Sequence, residues 1–139
     1  MSVSILPRGR TKLDLFWDYL RTGQYLRVAS AVGGGSAATS ATLYTVPAGK
    51  RAFVVALIIS GGPTSTTTNP NGRVSVVRAD GTVLPLAYFG HLLATSGATY
   101  HFPVAVEDIV VLEEGDSIRV DTTAYFIVVV HAIIVEVSK

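Results

Sequence analysis

The run AYFIVVVHAIIV, residues 124–135, restricts the possible folds of this chain more than any other stretch. It is too short for a membrane-spanning helix, which needs about 20 apolar residues, and His131 interrupts it. Its β-branched and aromatic side chains instead suit a strand, in which successive residues point to opposite faces. Here both faces are apolar, so filling a core with one leaves the other in need of cover. RAFVVALIIS, residues 51–60, poses the same problem. A small domain has little of its own to cover two such faces, and the natural cover is an identical neighbour. The expectation is a ring-like oligomer, a homotrimer, whose interface includes Tyr125, Ile127, Val129, His131 and Ile133, the odd-numbered face of the last strand.

Most of the remaining chain also reads as strand. Segments 42–46, 51–60, 73–79, 82–89, 98–104, 109–113, 117–123 and 124–137 are apolar or alternating, and turn residues separate most of them. In SIRVDTT, Ile118, Val120 and Thr122 alternate with Arg119 and Asp121, which predicts one buried and one wet face. Asp80-Gly81 reads as a two-residue hairpin turn, and Glu114-Gly115-Asp116 as another reversal. GGPTSTTTNPNG, residues 61–72, reads as an exposed projecting loop. The expected fold is all-β, an antiparallel β-sandwich of jelly-roll type.

The N-terminal part differs. In TKLDLFWDYLRT, residues 11–22, Leu13, Phe16, Trp17 and Leu20 fall on one helical stripe, Thr11 can cap the start, and Gly23 suits the end. Burying four such side chains is worth about 6–12 kcal/mol as an upper figure, which makes the stripe a packing surface, either for its own sheet or for another subunit. A strand, QYLRVASAV, follows, and then GGGSAATSA, residues 33–41, with the composition of a flexible hinge. The division expected is an arm over residues 1–41, carrying one short amphipathic helix, and a sandwich over residues 42–139. Arg8, Arg10 and Lys12 give the arm a basic tip, while residues 103–139 carry seven acidic side chains against Arg119 and Lys139, so an arm docking on an acidic neighbour is the partner-binding expectation.

Chemistry is hard to find. With no cysteine there is neither a disulfide framework nor a thiolate metal site. His91, His101 and His131 lack the close spacing of paired metal ligands. Gly49-Lys50 resembles the end of a phosphate-binding loop, but Tyr44 stands where its first glycine belongs and Arg51 where its hydroxyl belongs. The acidic group Glu107, Asp108, Glu113, Glu114 and Asp116 lacks the ligand spacing of a calcium loop. A net charge of +1 and apolar strands give no surface for nucleic acid or anionic membrane. The expectation is a protein with no catalytic residues, metal, cofactor or small-molecule substrate. Scarcity of Asn, Gln, Cys and Met, with Arg exceeding Lys, is one tendency of thermostable proteins.

LYTVPAGKRAFVVALIIS, and VVLEEGDSIRVDTT followed by a terminal strand, resemble the small β-sandwich proteins of tailed-phage virions, especially capsid decoration (cement) proteins. The resemblance covers residues 42–139. It implies a non-enzymatic structural protein of the virion exterior, made in the host cytoplasm. It also implies a trimer bound to the major capsid protein, with an N-terminal arm reaching over neighbouring subunits. A fibre or tail module for host recognition, using the loop at 61–72, is the alternative.

Overall fold

The computed structural model describes residues 21–65, 70–89, 104–105 and 110–139. Among these lie nine strands: β1 (Gln24–Gly33), β2 (Thr39–Thr45), β3 (Lys50–Pro63), β4 (Gly72–Val77), β5 (Val83–Phe89), β6 (Val104–Ala105), β7 (Val110–Leu112), β8 (Ser117–Thr122) and β9 (Phe126–Ser138). The fold is all-β. Of the helix expected at 11–22, only Arg21 and Thr22 are described, and both have helical backbone; the stripe residues lie outside the described residues.

The strands form two antiparallel sheets. The first runs β1-β9-β3-β6, with β7 also pairing β3, and the second runs β2-β8-β4-β5. Five of the pairings are nested along the chain, β4 with β5, β3 with β6 and β7, β2 with β8 and β1 with β9, while β3 with β9 and β4 with β8 cross that order.

The two layers share one core. From the first sheet it takes Phe126, Val128, Val130, Ala132 and Ile134, and from the second Val74, Val76, Ile118 and Val120, all buried. The period of two accounts for β8 and β9 directly. In β3 the inward residues are Ala52, Val54, Leu57 and Ile59, a spacing that strict alternation cannot produce. The register against β9 shifts between Val54 and Ala56, so Val55 is the extra residue of a bulge that restores Leu57 and Ile59 to the core.

Several expectations from sequence are corrected. QYLRVASAV pairs with β9 over the full length of β1 and so belongs to the first sheet. The glycines after it form an ordered turn: Gly33 and Gly34 have φ of 91° and 93°, Gly34 N–H donates to Phe126 O at 2.8 Å, and Tyr125 N–H donates to Gly35 O at 2.7 Å. Gly61, Gly62 and Pro63 extend β3 and are buried, while Thr64 and Asn71 are tied to Gly34 and Thr123, so the projecting loop is shorter than 61–72. Asp80-Gly81 lies among the three residues that connect Arg78 to Thr82. Gly81 N–H donates to Arg78 O, Arg78 N–H donates to Thr82 O, and Gly81 has φ of 92°, the pattern of a type I turn closed by a left-handed glycine. At Pro47–Lys50, Lys50 N–H donates to Pro47 O at 3.2 Å and Gly49 has φ of 75°, so the Gly-Lys pair is a turn between β2 and β3.

Candidate interaction face

The outer face of the first sheet carries three rows. From β9 come Ile127, Val129, His131 and Ile133; from β3 come Ala56, Ile58 and Ser60; from β1 come Tyr25, Arg27, Ala29 and Ala31. Register sets them side by side, with Ala29 and Ile58 flanking His131, and Arg27 and Ala56 flanking Ile133. Small residues beside large ones leave a groove of about 270 Å³ lined by Arg27, Ala56, Ile58, His131 and Ile133. Ile58 is 55 % exposed and Tyr25 51 %, His131 is exposed, and Ile127, Val129 and Ile133 are half-buried. Burying such side chains is worth about 1.5–3 kcal/mol each.

The sequence places all of Ile127, Val129, His131 and Ile133 on one face of one strand, and the register agrees. Tyr125 differs. It precedes β9 with φ of 59°, a left-handed conformation uncommon outside glycine, and its N–H and C=O bind Gly35 and Thr64. It therefore belongs to the turn between β8 and β9. The apolar outer face is also shorter than expected, because Phe53, Val135 and Val137 are buried in a second small cluster with Val55 and Val111 against them. The half-exposed part of this face runs from Ile127 to Ile133.

Between β7 and β8 the acidic residues are engaged by cationic side chains. Asp116 is buried; its carboxylate accepts from Arg78 Nη1 at 2.6 Å, from Ala79 N–H at 3.0 Å and from Glu113 N–H at 2.9 Å. Glu113 pairs with Arg51 at 2.9 Å and Glu114 with Lys139 at 3.7 Å. These turns line an open cavity of about 690 Å³. Each described member of the acidic group already has a cationic partner, and Glu107 and Asp108 lie outside the described residues. So do His91, His101 and the arm residues Arg8, Arg10, Lys12, Leu13, Phe16, Trp17 and Leu20.

A further polar link joins the two sheets. Tyr44 Oη on β2 donates to Glu136 Oε2 on β9 at 2.6 Å, and Glu136 is buried. Burial, then this hydrogen bond, pushes the Tyr44 phenol well above the ordinary tyrosine value. A raised folded value means the stabilisation is complete below about pH 10 and lost as pH rises through it. Tyr44→Phe leaves a buried carboxylate without this donor. The expected outcome is a loss of about 1–3 kcal/mol in urea unfolding at pH 7, with unchanged strand content by circular dichroism.

A scan against protein-family models matches none, and a search of curated proteins finds no relative.

Proposed function

We propose that this chain is a non-enzymatic structural protein of a virion, a capsid decoration protein that binds the outer surface of the major capsid protein as a homotrimer and stabilises the particle. The observation that carries the reading is the half-exposed apolar face from Ile127 to Ile133, with Ile58 beside it, on the two longest strands. A patch of this kind suits an interface between subunits. A trimer closes by a heterologous contact, in which this face meets a different surface of the next copy. The nested strand pairing, divided between two layers, supports a jelly-roll form of the β-sandwich. The helical stripe Leu13, Phe16, Trp17 and Leu20, with Arg8, Arg10 and Lys12, would supply the capsid contact, and three such arms on one trimer would bind together far more tightly than one.

Two variants test this. Because β1 belongs to the first sheet, the arm is cut at residue 20. Deleting residues 1–20 is expected to abolish binding to purified particles while the strands stay folded; binding equal to that of the full chain overturns the capsid role of the arm. Ile58→Asp with Ile133→Asp is expected to reduce the solution mass from trimer to monomer, and an unchanged mass overturns the interface. Replacing residues 66–69 with Gly and Ser separates the alternative. Lost host attachment with unchanged particle stability favours a fibre or tail module.

A further inference from the structure

The edges of the two sheets are not alike. An edge strand exposes a row of backbone N–H and C=O groups to which another strand can pair, and proteins that avoid such pairing shorten, bulge or proline-block their edges. In the second sheet, β2 has a register shift between Thr42 and Tyr44, and β5 contains Pro85 beside an unpaired extra residue, Leu86. In the first sheet, β6 and β7 have two and three described residues. Among the described residues the other edge is β1, with ten residues, no proline, Arg27 as its sole charge, and an unbroken register against β9. Its side chains are mostly exposed or half-buried, and Leu26 and Val28 pack only partly against the core.

We propose that β1 is a self-association edge, pairing antiparallel with β1 of a second copy across a two-fold axis so that the first sheets of two molecules become continuous. Directly opposed residues in an antiparallel pair point to the same face, which restricts a symmetric pairing to registers centred on a residue. Centring on Arg27 opposes like charges. Centring on Ala29 draws in Gly33, whose φ of 91° ends the extended strand. Centring on Val28 uses residues 24–32. It sets Tyr25 against Ala31 and Arg27 against Ala29 on the outer face, and Leu26 against Ser30 and Val28 against Val28 on the inner one. Large side chains then meet small ones, and neither Arg27 faces the other. The joint goes beyond the proposed trimer, because it uses the strand edge and leaves the Ile127–Ile133 face untouched.

The chain has no cysteine, so single cysteines report the register without background. Opposed residues lie about 4.5–5.5 Å apart between Cα atoms, within disulfide reach. Val28→Cys is expected to give a disulfide-linked dimer under mild oxidation, and Ser30→Cys, which faces Leu26, is not. Cross-linking of Ser30→Cys as fast as Val28→Cys, or of neither, overturns the proposal. The exposed Ala29 gives a second measurement in the full-length chain. Ala29→Glu faces Arg27 of the other copy at two symmetric positions and is expected to tighten self-association by sedimentation roughly tenfold, while Ala29→Lys is expected to weaken it by a similar factor. Shifts in the same direction, or none, overturn the pairing.

Discussion

Gly33→Ala is expected to destabilise the fold by at least about 3 kcal/mol, a fall in melting temperature of roughly 10 °C. A Cβ on Gly33 would stand 2.2 Å from the carbonyl oxygen of Phe126 and 2.6 Å from Thr122 Oγ1. The first is backbone of the central strand of the first sheet and cannot rotate away, so β1 or β9 must shift. The φ of 91° adds strain for any side chain, and the adjacent hydrogen bond from Gly34 N–H to Phe126 O is disturbed. Gly35→Ala, two residues on, supplies the control. A Cβ there meets nothing within 4 Å, and its melting temperature is expected to match the parent. Equal melting of the two variants would show that the close approach at Gly33 does not matter.

Removing the Asp116 carboxylate is the second large effect. Asp116→Ala leaves the Arg78 guanidinium and the N–H groups of Ala79 and Glu113 without their acceptor. Breaking a buried pair costs about 3–5 kcal/mol, and partial exposure of Arg78 brings the expectation to about 2–4 kcal/mol at pH 7. The same group sets an acid limit. Burial raises the Asp116 carboxyl, but hydrogen bonds from Glu113 N–H, Arg78 and Ala79 N–H, with the charge of Arg78, together hold it below the usual carboxylate value. With the folded value depressed, its stabilisation is present above about pH 4 and lost as pH falls through the folded value. Asp121 contributes with the same sign, its carboxyl raised by burial but held low overall by Ser40, Arg119 and Arg73. Denaturant unfolding at pH 7 and pH 3 should show a drop in stability for the parent and a smaller one for Asp116→Ala. A parallel drop in both would remove Asp116 from the acid response.

The strands were legible where periodicity alone decides. Ile118, Val120 and Thr122 are buried and their alternates half-buried, as SIRVDTT implies. The double apolar faces of β3 and β9 also pointed correctly to a sheet whose outside is hydrophobic. What sequence could not show was pairing at a distance. QYLRVASAV looks like part of an arm until its partner, about a hundred residues later, is known. Asp116 looks like an ordinary acidic turn residue, because Arg78 meets it only after β4 and β8 pair. Consecutive glycines were read as freedom, whereas Gly33 is there because another backbone passes within contact distance. Glu136 offered a signal that periodicity contained: a carboxylate at a core-facing position between Val135 and Val137 calls for a donor, which Tyr44 provides.

The nested pairing also dictates an order of events as the chain is made. The β4–β5 turn joins neighbours and can form early, but β9 lies between β1 and β3 and is the last strand to emerge. Until it does, β1 and β3 have no strand to separate them, and their apolar residues wait in an unfinished sheet. Topologies dominated by distant contacts fold in milliseconds to seconds, which exceeds the time scale of local hairpins by orders of magnitude. The first sheet therefore cannot close until β9 has left the ribosome, and a ribosome stalled before residue 126 would hold a chain with an open, aggregation-prone interior.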